Sequence, residues 1–146
     1  MIGFIKKTLR RLKRLLDPLV GKYIDVYVWK YRHYLYKNWE EGYLDSNSIN
    51  HPHRDLIIES ISKKSDVRVI LELGTGNGAN LIKLFERFPK IKYIGIDINK
   101  RAISIGKQYL REHKIKNIKL NIDNIFSITK MKSSSIDYII TDAVLM

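Results

Sequence analysis

Four carboxylates and three glycines carry the chemistry that can be read from this chain. Glu72, Gly74, Gly76 and Gly78 fall in the stretch Val69-Ile70-Leu71-Glu72-Leu73-Gly74-Thr75-Gly76-Asn77-Gly78, where an apolar run stops at glycines on alternate positions. Glycine has no Cβ, so such a loop turns sharply and lets a ligand approach the backbone. Asp97, Asp123 and Asp142 each follow a later apolar run. Asp97 lies 23 residues after Gly74, a place from which a carboxylate can accept hydrogen bonds from both hydroxyls of a ribose. A single acid of this kind is equally well a loop residue or a helix cap. A set of acids at matching places needs several coincidences.

The elements that must position these residues alternate between two patterns. Strands are expected over 67–73, 91–97, 117–122 and 136–141, with helices over 77–88 and 99–113 and a short connection over 125–131. The first strand is a nearly continuous apolar run, as in a strand buried on both faces. Strands alternating with helices make an α/β, Rossmann-like, doubly wound parallel sheet the expected fold. In such sheets ligands bind at the carboxyl ends of the strands. Glu72, Asp97, Asp123 and Asp142 all fall there. Ahead of the sheet, Pro52 marks the start of a helix with His51 or Asn50 as its cap, and Leu56, Ile57 and Ile61 form its buried side. The organisation is therefore a helical extension over 1–64 and a partial cofactor-binding domain over 65–146.

Within the extension, Ile2, Ile5, Leu9, Leu12, Leu16 and Leu19 recur at helical spacing among Lys6, Lys7, Arg10, Arg11, Lys13 and Arg14. Packing on the domain is one reading of residues 1–20; an anionic membrane surface comes second and nucleic acid third. Residues 22–43 are aromatic at helical spacing, which favours packing. The chain has 146 residues, a net charge of +12 and no cysteine. The charge favours acidic partners. Lack of cysteine excludes a disulfide or thiolate chemistry and suits the cytoplasm, with peripheral membrane contact as the variant. No stretch reaches the ~18 apolar residues of a membrane span. His51 and His53 lack a third neighbouring ligand in sequence, so no metal site is expected.

Two cofactors compete for the loop. Gly74, Gly76 and Ala79 satisfy the dinucleotide pattern, which would make the protein an NAD(P)-dependent oxidoreductase. Glu72 inside the strand, Gly78 within the loop and Asp123 beside Asn124 point elsewhere. At these residues the sequence resembles the class I S-adenosylmethionine-dependent methyltransferases, whose first motif Glu72-Leu73-Gly74-Thr75-Gly76-Asn77-Gly78 is similar to. The resemblance implies that Glu72 and the loop backbone, with Thr75 and Asn77, hold the methionine part of S-adenosylmethionine. It implies that Asp97 binds the ribose, that Ile98 lies against the adenine, and that Asp123 accepts a hydrogen bond from the adenine amino group. Ser135-Ile136-Asp137-Tyr138 is similar to the family's fourth strand. A carboxylate rim including Asp142 suits a sulfonium cation better than a pyrophosphate.

The family has seven strands and this sequence stops after the fourth, so an N-terminal fragment with an exposed apolar fourth strand is expected. No Asn-Pro-Pro-Tyr follows that strand, which points to a small-molecule, sugar or lipid acceptor. His33, His51, His53 and Asp142 are candidate bases with nothing to choose between them. A third reading is a non-catalytic module that attaches to membrane or RNA.

Overall fold

A computed structural model describes residues 44–124, 131–132 and 134–142. The helices expected at 1–20 and 22–43, the connection at 125–130 and His33 lie outside the described residues. Eight elements follow in order: α1 (Ser46–Ile49), α2 (His53–Ser62), β1 (Val69–Leu73), α3 (Ala79–Arg87), β2 (Lys92–Asp97), α4 (Lys100–Glu112), β3 (Ile118–Ile122) and β4 (Tyr138–Thr141).

The strands form one parallel sheet in the order β3-β2-β1-β4. β1 pairs with β2 through Leu71 and Ile94, and with β4 through Leu73 and Thr141. The register brings the carboxyl ends of all four strands to one edge. Asp97 pairs with Ile122 there, and Glu72 lies opposite Gly95 and Ile140. The expected strands are all present, each shorter at its amino end than the apolar pattern suggested. Entry to β1 is clamped instead by Asp137. Its Oδ2 accepts from the backbone N–H groups of Arg68 and Val69 at 2.9 and 2.8 Å, which holds its carboxyl below the usual range.

The core lies where α3 and α4 pack on the sheet, around Ile70, Leu81, Ile82, Leu84, Tyr93, Ile103, Leu110, Ile118 and Leu120. Asn99 starts α4 by accepting from the N–H groups of Arg101 and Ala102, the hydrogen-bonding pattern of a helix N-cap. One expectation fails at α2. Leu56 is 68% exposed, and Arg54 is buried in its place. The helical period puts positions 54, 57 and 61 on one face and carries 56 to the other. The Arg54 guanidinium lies against the Ser48 carbonyl oxygen. β4 stands at one edge of the described sheet with Ile139 47% exposed. The hydroxyls of Tyr138 and Ser60 meet at 2.7 Å and tie this strand to α2.

Glycine at 106 sets the approach of α4 to the rest. A Cβ there would lie 2.2 Å from the Asn77 carbonyl oxygen and 2.6 Å from Leu120. The first of these is backbone of the glycine-rich loop and cannot step aside. Gly106→Ala should therefore destabilise the fold by about 2 kcal/mol or more, as overpacking against fixed atoms does. Urea unfolding followed by circular dichroism reads this directly. A midpoint unchanged from wild type would show that α4 can withdraw from the loop without loss.

Candidate cofactor site

The loop after β1 takes its shape from three glycines in left-handed backbone conformation, with φ of 72° at Gly74, 57° at Gly76 and 84° at Gly78. Side chains rarely adopt these angles. The N–H groups of Gly74 and Thr75 both donate to the Ile96 carbonyl, at 2.8 and 3.1 Å. The Gly76 N–H donates to Asp97 Oδ2 at 2.7 Å. Three amides that could have cradled a phosphate are thus turned inward onto β2. The loop offers space: among the described residues a Cβ built on Gly76 meets no atom within 4 Å.

Asp97 is held from two sides. Its Oδ2 receives the Gly76 N–H, and its Oδ1 receives the Asn99 N–H at 2.7 Å. The side chain remains half-buried, so each oxygen keeps a lone pair for a further donor. Ile98 beside it is an exposed apolar residue. The Asp123 N–H donates to the Asp97 carbonyl at 3.0 Å, which fastens the end of β3 to the end of β2. The Asp123 side chain is exposed, with Oδ1 accepting from the Asn124 N–H at 2.8 Å.

Glu72 lies on the inner side of the loop. It is 1% exposed, and its two oxygens accept from the Thr75 hydroxyl and, at 2.7 Å, from Asn80 Nδ2. Thr75 and Asn77 are buried too, and Thr75 sits where Gly95 leaves room, since a Cβ on Gly95 would meet Thr75 Cγ2 at 2.7 Å. Asn80 Nδ2 also reaches Asp142 Oδ2 at 3.2 Å. Asn80 is the member of this group that sequence reading passed over. Its one signal was an amide at the second position of a helix that otherwise shows an apolar face. Among the described residues its buried Oδ1 has no hydrogen-bond partner. Asp142 is exposed and lies 3.4 Å from His53 Nε2.

The structure therefore gathers the sequence candidates into two linked groups. Glu72, Thr75, Asn80 and Asp142 form one, behind and beside the loop. Gly76, Asp97, Ile98 and Asp123 form the other, in front of β2. A half-open carboxylate, an exposed apolar side chain and the space at Gly76 suit a ligand with hydroxyls and a flat ring.

A parallel Rossmann-like sheet with an acidic rim and an inward-turned glycine loop places the protein in the α/β class whose ligand sites lie at the carboxyl ends of the strands. The chain matches the family described as "Methyltransferase domain" over residues 63–146 and belongs to it. An uncharacterised protein of Rickettsia prowazekii (strain Madrid E) is 36% identical over 75 residues, 51% of this chain and 30% of that protein. A tRNA (guanine-N(7)-)-methyltransferase of Pediococcus pentosaceus is 34% identical over 50 residues, 34% of this chain and 24% of that enzyme. A dimethyladenosine transferase structure from Plasmodium falciparum superposes with a TM-score of 0.51 at 28% identity, over 64% of this chain and 32% of that one. The matched stretch spans less than a third of either curated relative. Among the described residues no helix is long and apolar enough to cross a membrane.

Burial pushes the Glu72 carboxyl up to about 7 from 4.5. The hydrogen bonds from Thr75 and Asn80 oppose that rise, Asp142 adds to it, and Arg54 opposes it. The folded protein thus holds this proton over a range in which the unfolded chain has released it. Glu72 favours folding fully below 4.5, and that contribution is lost as pH rises through about 7. Relative to Glu72→Gln, the wild type should lose about 3 kcal/mol of stability across this window. Chemical denaturation of both proteins at intervals of pH measures the difference. Two parallel profiles would mean that Glu72 ionises in the fold as freely as in water.

Proposed function

We propose that this chain is the cofactor-binding part of a class I methyltransferase and that its cofactor is S-adenosylmethionine. The observation that carries this reading is Asp97, fixed by the amides of Gly76 and Asn99 next to the open space over Gly76. A carboxylate that is already oriented loses little freedom when it accepts the two ribose hydroxyls. Ile98 then supplies an apolar face for the adenine, and Asp123 an acceptor for its amino group. Glu72 acts from behind: it fixes Thr75 and Asn80.

The bound cofactor supplies an activated methyl group on a sulfonium. The protein's share is alignment, since displacement at a methyl carbon needs nucleophile, carbon and sulfur in line. The same residues argue against a dinucleotide. A pyrophosphate needs N–H donors, and the loop spends those of Gly74, Thr75 and Gly76 on Ile96 and Asp97. The acceptor we propose is a small molecule, sugar or lipid, because Asp142-Ala143-Val144 follows β4 in place of an amine-recognising Asn-Pro-Pro-Tyr.

Isothermal titration with S-adenosylhomocysteine and with NAD tests the choice of cofactor. The first should bind and the second should not; the reverse would move the protein to the oxidoreductases. Asp97→Ala should weaken S-adenosylhomocysteine binding by about 2 kcal/mol, roughly 30-fold, because it leaves two hydroxyls without acceptors. Equal affinity in the variant would remove the ribose from Asp97.

A further inference from the structure

The outer edge of β3 is a part of the sheet that cofactor binding leaves without a task. Among the described residues β3 ends the strand order and pairs only with β2. Its ladder fixes which backbone groups stay open. The Tyr93 N–H donates to the Asn117 carbonyl, and the Asp123 N–H donates to the Asp97 carbonyl. In a parallel pair the residues that bond a given neighbour alternate along the strand. Positions 117, 119, 121 and 123 therefore turn their N–H and C=O groups to β2. Ile118, Leu120 and Ile122 turn theirs outward, about 6.6 Å apart along the strand.

A groove of about 530 Å³ runs between this edge and α4. The chain forms it by the way α4 ends. The helix stops at Glu112, and Lys114 takes a left-handed φ of 56°. The Ile115 N–H then donates back to the Leu110 carbonyl at 2.9 Å, the long closing bond of a Schellman turn. Ile115, Leu110 and Leu120 give the groove an apolar floor. Around the floor stand Lys107 and Arg111 of α4, Lys114 and Lys116 of the turn, and Lys119 of β3, all of them exposed.

Among the described residues no acid lines the groove. Glu112, the one acid of α4, accepts instead from Gln108 Nε2 at 2.9 Å. The ion pairs of the described residues lie elsewhere, at Lys63 with Glu59, Lys83 with Glu86 and His53 with Asp142. The carboxyl end of a helix favours cations such as Arg111 and Lys114. It does not account for Lys107, four residues before Arg111, where like charges repel. Nor does it account for Lys116 and Lys119, which lie beyond the helix.

Three properties select the partner. Open N–H and C=O groups on a strand edge are matched by another extended backbone. An apolar floor takes every second side chain of such a strand. Five cations call for carboxylates. RNA fits less well, because no aromatic ring lines the groove for bases to stack on. A second copy of this edge would set cations against cations. We propose that the groove binds an extended acidic segment of a partner protein, which adds to the outer edge of β3 as a further strand. Its apolar side chains meet Ile115 and Leu110, and its acids meet Lys116 and Lys119. The same cations deter unwanted pairing at an open edge and admit an acidic strand in preference to a basic one. The site uses none of the residues assigned to the cofactor and stands independently of that reading.

The test is NMR of the 15N-labelled full chain titrated with the peptide acetyl-Glu-Val-Glu-Val-Glu-Val-amide. Binding should saturate and should slow amide hydrogen exchange at Leu120 and Ile122 by about tenfold or more, as these groups pass from solvent into a ladder. The amides of Lys119 and Asn121, already turned to β2, should keep their rates. The same peptide methylated on its backbone nitrogens should not bind. The double variant Lys116→Glu, Lys119→Glu should bind the parent peptide at least about tenfold more weakly, since it reverses two charges across the interface. Failure of the parent peptide to bind, binding without protection at β3, or equal affinity in the double variant would each overturn the proposal. So would occupation of these residues by oligouridylate or by phosphatidylglycerol vesicles in preference to the peptide. The exchange readout uses the unaltered protein and needs no variant to fold.

Discussion

A carboxylate buried under a loop governs the rest of this structure. An ionised or hydrogen-bonding acid cannot be left alone in a core, because its desolvation far exceeds the worth of any one contact. Glu72 meets that requirement with Thr75 on the loop and Asn80 on the first turn of α3. Both partners must then stay where they are. Thr75 needs the space over Gly95, and Asn80 needs α3 to start directly after Gly78. The turn of the loop, the start of the helix and the gap in β2 are consequences of satisfying one side chain.

Close packing then transmits this arrangement across the sheet. Leu120 of β3 reaches over β2 and would touch a Cβ at Gly78, Gly95 or Gly106. Asn77 of the loop lies against α4 at Gly106. Loop, sheet and second helix therefore interlock through small residues rather than through directional bonds. Interiors packed this densely respond to a single added methyl group. The loop keeps its shape because the core behind it has no slack. A ligand that enters in front meets a formed site, which limits the entropy lost on binding.

Charge is distributed against the grain of the whole chain. The protein carries +12 overall, yet Glu72, Asp97, Asp123 and Asp142 occupy the carboxyl ends of four adjacent strands. The His51–His53 pair sits beside that rim, where Asp142 faces it.

The α/β class, the four strands and the place of each acid were legible from the sequence, because the alternation of apolar runs and helical faces is a local signal. Asp97 and the three glycines also stood out, since backbone conformation and ligand approach demand those residue types at fixed spacing. What the chain order could not show was which partners meet across the fold. Nothing in the spacing revealed that Glu72 turns away from the rim into the core, or that Asn80 spans it and Asp142. Nor did it show that Arg54, eighteen residues before Glu72 in the sequence, takes the buried face intended for Leu56. His51, His53 and Asp142 were three separate candidates until β4 placed Asp142 opposite α2. Side-chain periodicity sets which face a residue takes within its own element. Only the packing of the elements decides what that face meets, because the energy of a buried polar group depends on partners distant in sequence.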